Sequence, residues 1–91
     1  MIHALKIDPI YFDEVRNGNK RFELRNNDRD FHVGDYLALN EWDGMYTGRS
    51  ELVKVEYMMN PNDIMPCPGN YAIMSIRLCG AFDRTREDTP C

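Results

Sequence analysis

Short stretches in which hydrophobic and polar residues alternate recur along the chain, and this period of two is typical of β-strands. The clearest stretch is residues 20–25, where Phe22 and Leu24 are separated by charged residues. Because successive side chains of a strand point to opposite faces, we expect Phe22 and Leu24 to be buried and the charged residues to face outward. Further strands are predicted at residues 3–7, 36–42, 45–59 and 71–80. Their expected inward residues are Leu5, Ile7, Leu37, Leu39, Val53, Val55, Tyr57, Met74, Ile76 and Leu78.

A single helix is predicted at residues 8–18. The side chain of Asp8 can cap the free backbone N–H groups, Pro9 suits the first helical position and Gly18 suits a left-handed exit. The apolar residues fall on one side of this helix, so we expect one buried stripe, formed by Tyr11, Phe12 and Val15.

Glycine and proline mark the connections between these elements. Asp43-Gly44 predicts a hairpin, because a type I′ turn needs two residues that tolerate positive φ. Gly48 indicates a bulge or a bend in the strand that follows. Residues 60–70 contain three prolines and are predicted to form a loop, with one helical turn at residues 63–65.

The predicted order is therefore a strand, a helix and then four strands. In so short a chain this order favours an α+β fold, a small closed or half-closed β-barrel of five to six strands with one N-terminal helix at its end. The pattern also allows a short second helical turn. We expect one domain over residues 1–80, followed by a polar C-terminal tail at residues 81–91.

Composition is that of a globular protein, since 43% of the 91 residues are hydrophobic and 29% are charged. No apolar run approaches the ~18 residues that span a bilayer, and the first residues lack the apolar stretch of a signal peptide. We therefore expect a cytoplasmic protein without a membrane partner. The three cysteines form no CxxC pair and the two histidines have no metal-binding spacing, so we expect neither a metal nor a cofactor.

The charge pattern gives the first indication of function. The chain carries 11 Lys+Arg against 15 Asp+Glu, yet five of its cations fall within residues 16–29. An acidic protein does not bind nucleic acid indiscriminately, so any such binding depends on this local basic patch. On the predicted strand Glu23 and Arg25 share one face about 7 Å apart, within reach of Lys20. The cations can hold a phosphate while Glu23 accepts hydrogen bonds from a base or sugar. The alternative is a solvated strand face with a weak ion pair.

Three other residues are candidates for contacts with a nucleic acid. Arg29 adds a cation at the tip of the following loop, and Arg49 offers a further phosphate contact. Tyr46 either stacks on a base or only covers the end of the barrel. Trp42 is expected to pack in the core or at its rim.

The same segment resembles a known family pattern. A helix that ends at Gly18 is followed by Lys20, Glu23 and Arg25, and then by the motifs "NDRDFHVGD" and "YTGR". This combination, over residues 3–78, resembles the ASCH domain of the PUA-like superfamily. It is most similar to a short single-domain branch found in phages and bacteria.

The resemblance implies a small β-barrel whose cleft is lined by the segment after the first helix, with RNA as the ligand. Some ASCH proteins remove the acetyl group from acetylated cytidine with a lysine, a threonine and a glutamate. Lys20 matches that lysine, whereas Glu23 takes the threonine position and no residue matches the later glutamate. The sequence therefore lacks two of the three residues of that activity.

We expect an RNA-binding module that acts as a monomer on single-stranded RNA. The expected contacts are Lys20, Arg21, Glu23, Arg25, Arg29, Tyr46 and Arg49. The alternative is an RNA-acting hydrolase, most simply a ribonuclease or else a modified-nucleoside amidohydrolase, with Lys20 and Glu23 as catalytic residues. In a ribonuclease His32 is a second candidate for the base. A protein-interaction module is the remaining alternative.

Overall fold

The computed structural model describes residues 1–83 and shows one α-helix packed on one five-stranded sheet. The fold class is therefore α+β, as the order of the sequence patterns predicts. The elements are β1 (Ile2–Ile7), α1 (Pro9–Arg16), β2 (Phe22–Asn26), β3 (Tyr36–Trp42), β4 (Tyr46–Met59) and β5 (Tyr71–Asp83).

The strands are ordered β1-β3-β4-β5-β2, so the first two strands of the chain form the two edges of the sheet. Only β1 and β3 are parallel, and the other neighbours are antiparallel. The sheet curls until its edges face each other: Arg25 Nη2 of β2 donates to the carbonyl oxygen of Lys6 in β1 at 2.8 Å. Arg29 Nη1 donates to the carbonyl oxygen of Ala4 at 3.0 Å. The result is a half-barrel, and we call the gap between β1 and β2 the seam.

Helix α1 covers the concave face of the sheet and contacts β3 and β5. Phe12 and Val15 are buried, as predicted, but Tyr11 is exposed and faces away from the core. The hydrophobic core consists of Leu5, Ile7, Phe12, Val15, Phe31, Leu37, Leu39, Val53, Val55, Ala72, Met74 and Ile76.

The two ends of α1 confirm the capping predicted from the sequence only in part. Asp8 occupies the N-cap position and Pro9 begins the helix, but the Asp8 side chain makes no capping hydrogen bond. Its backbone carbonyl instead accepts from the N–H groups of Tyr11 and Phe12. Gly18 has φ +79°, which confirms the predicted left-handed exit.

The predicted orientation of β2 is wrong. Phe22 and Leu24 are 51% and 55% exposed, whereas Glu23 is 3% exposed. Glu23 lies directly opposite Met74 of β5, which is fully buried, so both side chains point to the concave face. The carboxylate tolerates this burial because Lys20 and Arg25 contact it from either side.

Two other residues expected in the core are exposed, and one of them follows a bulge in the pairing of β4 with β5. The register shifts between Leu52 and Val53 and again between Val55 and Tyr57. A one-residue shift moves the following side chains to the opposite face. Tyr57 follows the second shift and is 63% exposed. Leu78 lies opposite the buried Val53 and keeps the inward face, but it is 39% exposed beside the first shift.

The β3–β4 hairpin is confirmed, but its turn differs from the predicted type. Residues 43–45 connect the strands, and within that connection only Gly44 has a positive φ, so the turn is not type I′. Gly48, at φ +92°, lies opposite the register shift between Asn40 and Trp42, which confirms the predicted bulge.

The loop after β4 contains a single 3₁₀ turn at Pro61–Asp63, two residues earlier than the predicted helical turn. Asn60 and Asp63 form a reciprocal capping box around it. Strand β5 runs on to Asp83, three residues past the predicted domain end at Gly80. The rest of the predicted tail lies outside the described residues. Among residues 1–83 no helix is long and apolar enough to cross a membrane.

Candidate functional site

A cavity of about 530 Å³ opens in the seam, and we call it the seam cleft. Its walls come from the end of β1, the start of α1, the segment before β2, β2 itself and the end of β3. The lining residues are Lys6, Ile7, Asp8, Tyr11, Lys20, Phe22, Glu23, Leu24, Arg25 and Trp42.

Glu23 is the central polar residue of the seam cleft. Lys20 Nζ contacts its Oε1 atom, and Arg25 Nε donates to its Oε2 atom at 2.8 Å. Lys20 also donates to the carbonyl oxygen of Phe22 at 2.8 Å. Since each carboxylate oxygen has two lone pairs, Glu23 retains acceptor capacity toward the cleft. The sequence correctly grouped these three side chains, although it placed them on the wrong face of the sheet.

The cleft combines cations with aromatic rings. Lys20 Nζ lies 4.9 Å from the ring centroid of Phe22 and 5.8 Å from that of Tyr11. On the opposite wall Lys6 Nζ lies 3.8 Å from the centroid of Trp42. Tyr46 does not line the cleft, but its ring packs edge-on against Trp42 with centroids 4.8 Å apart. Such walls offer flat apolar surfaces beside positive charge.

Three cations of the predicted surface do not line the seam cleft and have structural contacts elsewhere. Arg21 donates from Nε to the carbonyl oxygen of Gly18 at 2.9 Å. Arg29 reaches across the seam to Ala4 and does not line the cleft. Arg49 lies on the far side of the helix, where its guanidinium pairs with Asp13 at 3.2 Å and with Glu41 at 3.4 Å. These contacts fix the helix against the sheet rather than forming a wall of the cleft.

The model of the family described as "Domain of unknown function (DUF3850)" matches residues 2–76. The chain belongs to this family. A relative named "Uncharacterized 12.9 kDa protein in GpA 3'region", from Escherichia phage P2, is 40% identical over 63 residues. That match covers 68% of this chain and 58% of the phage protein, so the shared region is less than two thirds of the relative's length.

All lining residues of the seam cleft fall inside the matched DUF3850 region. The family description names no activity. Within residues 1–83 no group of three or more His, Cys, Asp or Glu side chains is arranged to hold a metal ion.

The DUF3850 domain also buries a carboxylate that sequence reasoning missed. Glu51 is 1% exposed, and within the described chain neither of its oxygens accepts a hydrogen bond. Arg16 Nε lies 3.6 Å from its Oε2 atom, while the Arg16 guanidinium donates to Asp83 at 2.8 Å and to the carbonyl oxygen of Ser50. Burial raises the pKa of Glu51 to about 7, although Arg16 and Arg49 act in the opposite direction.

The two histidines of the domain have different surroundings. His3 is buried, as expected for a core histidine, and its Nε2 atom lies 2.8 Å from Asp35 Oδ2. The hydrogen bond with His3 is the largest cause that lowers the pKa of Asp35 to about 2. His32 is an exposed loop residue with its ring near Asp30 and does not line the seam cleft.

Proposed function

We propose that this DUF3850 domain binds single-stranded RNA, with one base held in the seam cleft. The observation that carries the proposal is the convergence of Lys20, Glu23 and Arg25 beside the rings of Phe22 and Trp42. The volume of the seam cleft, about 530 Å³, lies within the range of small-molecule sites, roughly 300–1,000 Å³.

The cations and rings suit different parts of a nucleotide. Lys20 lies near the ring of Phe22, and Lys6 lies over the ring of Trp42. A base that stacks on Phe22, or that displaces Lys6 from the face of Trp42, brings its phosphate close to an ammonium group. A base can enter such a cleft only when it is unpaired and turned out from its neighbours. Single-stranded RNA therefore fits better than a duplex.

Glu23 supplies an acceptor at the floor of the cleft. Its remaining lone pairs suit the N–H groups of a base edge, whereas a phosphate oxygen would be repelled. The buried position of Glu23 makes this contact selective. A base that presents an acceptor instead of an N–H group to Glu23 leaves that acceptor without a hydrogen bond.

We also propose that the half-barrel is a PUA-like fold of the ASCH type, as the resemblance of the sequence implies. What supports it is that Lys20 and residues 22–25, in the segment after the helix, line the cleft. We take the protein to act as a monomer in the cytoplasm, which for a phage-encoded chain is that of the host.

Fluorescence anisotropy with a labelled mixed-sequence single-stranded RNA tests the proposal. We expect Trp42→Ala and Lys20→Gln each to weaken binding by about tenfold, through lost stacking and a lost phosphate contact. Lys54→Gln is the matched control, because Lys54 has the same charge but does not line the cleft. Absence of binding by the parent protein, or equal loss in all three variants, would contradict the proposal.

One observation favours a second function, an RNA-acting hydrolase: the Lys20–Glu23 contact places a carboxylate and an ammonium side by side at the cleft floor. Incubation of RNA with the parent and with Glu23→Gln, with and without a chelator, tests for a ribonuclease. Mass analysis of acetylated cytidine in the same reactions tests for an amidohydrolase. Unchanged RNA and unchanged nucleoside in every reaction would exclude this function.

A further inference from the structure

A second cavity, of about 270 Å³, lies where the α1–β2 connection meets β4 and β5, and we call it the linker cavity. Lys20 lines both the linker cavity and the seam cleft, so the two adjoin at this residue. The lining residues are Val15, Gly18, Lys20, Arg21, Glu56, Ile76, Arg77 and Leu78.

Positive charge exceeds negative charge in the linker cavity. Its charged residues are Lys20, Arg21 and Arg77 against Glu56. This excess is notable in a chain whose formal net charge is −4. A site of this kind attracts an anionic group rather than a neutral one.

Both arginines have donors to spare. Arg21 uses Nε to bond the carbonyl oxygen of Gly18 at 2.9 Å, and Arg77 uses Nε to bond Glu56 Oε2 at 3.0 Å. Within residues 1–83 the Nη groups of both side chains make no hydrogen bond. The planar fork of a guanidinium suits two oxygens of a phosphate.

The Arg77–Glu56 pair does not prevent this use. The two side chains are 58% and 48% exposed, and an ion pair this exposed to solvent is weak. An incoming phosphate can therefore share Arg77 at little cost. Phe22, half exposed, adds an apolar surface to the seam cleft next to Lys20, the residue that both cavities share.

We infer that the linker cavity is a phosphate subsite for the nucleotide next to the one in the seam cleft, with Arg21 and Arg77 as its donors. This inference rests on the proposed RNA binding and extends it to a footprint of at least two nucleotides. Lys20 lies between the two phosphates of that footprint.

The salt dependence of RNA binding tests the subsite. For single strands, each phosphate contact contributes about 0.7 to the slope of log K against log salt concentration. Because both arginines serve one phosphate, we expect Arg77→Gln and Arg21→Gln each to lower the slope, by up to about 0.7, and to weaken binding at low salt. Lys54 is the matched control, because it lies opposite Arg77 in the pairing of β4 with β5 but lines neither cavity. Lys54→Gln should leave the slope unchanged, and thermal melting should show that all variants are folded.

The outcomes separate this inference from the proposed function. RNA binding by the parent with the same slope and affinity in Arg77→Gln overturns the subsite and leaves the seam cleft intact. No RNA binding by the parent overturns both. Calorimetric titration of the protein with inorganic phosphate alone is the remaining experiment. Saturable phosphate binding that Arg77→Gln abolishes without affecting RNA would assign the cavity to the free anion and overturn the subsite.

Discussion

Arg25 joins the two edges of the sheet, because its Nη2 atom donates to the carbonyl oxygen of Lys6 at 2.8 Å across the seam. The Nε atom of the same guanidinium bonds Glu23 at 2.8 Å. One side chain thus connects β1, β2 and the buried carboxylate of the candidate site. The shape of the cleft and the stability of the half-barrel depend on the same contact.

We expect Arg25→Ala to lower the free energy of unfolding by about 2 kcal/mol, since it removes a charged partner from a buried carboxylate. Arg25→Lys should recover only part of this loss, because an ammonium lacks the fork that reaches both Glu23 and Lys6. Urea denaturation measures both changes. Lys54→Gln serves as the surface control, and equal stability of Arg25→Ala and parent would contradict the interpretation.

The orientation of β2 shows what an alternating sequence can and cannot predict. Alternation correctly showed that Phe22 and Leu24 share one face and that Glu23 and Arg25 share the other. It could not show which face is buried, because that depends on pairing with Met74 of β5, some fifty residues along the chain. The rule that apolar residues are buried failed at a carboxylate whose two cationic neighbours allow it to be buried.

Glu51 gives a prediction for pH dependence. The pKa of Glu51 rises from 4.5 to about 7 on folding, mainly because burial disfavours the charged form. Between these values the unfolded chain has released its proton while the folded chain keeps it, so stability falls as pH increases through this window. The penalty is on the order of 3 kcal/mol above pH 7.

Glu51→Gln should remove this penalty. We expect the variant to gain stability relative to the parent at pH 8 and to gain little at pH 4, where the glutamate is protonated in both states. Thermal melting across this range provides the measurement. A constant difference between the two proteins at every pH would show that Glu51 does not titrate on folding.

The contribution of Asp35 to stability depends on pH in the opposite direction to that of Glu51. Its pKa is lowered from 3.8 to about 2, first by the hydrogen bond from His3, so its contribution to stability is present above pH 3.8. That contribution is lost as pH falls through the window down to about 2. Asp35→Asn should destabilise the protein by about 1–3 kcal/mol at neutral pH, because the buried His3 loses its charged partner.

Acid titration followed by circular dichroism checks the Asp35 prediction. The stability difference between parent and Asp35→Asn should shrink as pH falls toward 2 and below, because the parent carboxylate takes up its proton in this range. If the difference persists unchanged in acid, the effect of the substitution comes from packing rather than from charge.

Gly18 provides a test of the exit from α1. At φ +79° a side chain with a Cβ atom is strained, although the nearest atom to that Cβ would be Arg21 Nη2 at 3.9 Å. The expected cost of Gly18→Ala is therefore a backbone cost of about 1–2 kcal/mol rather than a clash. Gly18→Asn should cost less, since asparagine tolerates this region. Urea denaturation compares the two, and an equal loss in both variants would indicate a steric cause.

The sequence predicted the centre of the candidate site better than its walls. Lys20, Glu23 and Arg25 are close in the chain, so strand geometry alone brings them together. Lys6 and Trp42 come from β1 and the end of β3, and only the parallel pairing and the curl of the sheet bring them to the cleft. Charge alone could not distinguish the arginines that line a cavity from those that stabilise the fold.

The seam also affects how the protein behaves in a crowded solution. An open half-barrel leaves β1 with unpaired carbonyl groups, and such an edge is a template on which strands of other molecules can add. Arg25 and Arg29 occupy the carbonyl oxygens of Lys6 and Ala4, and they bring charge to this edge. The two arginines therefore disfavour the addition of a strand from another copy of the protein, so the sheet can stay open for a ligand without aggregating at this edge.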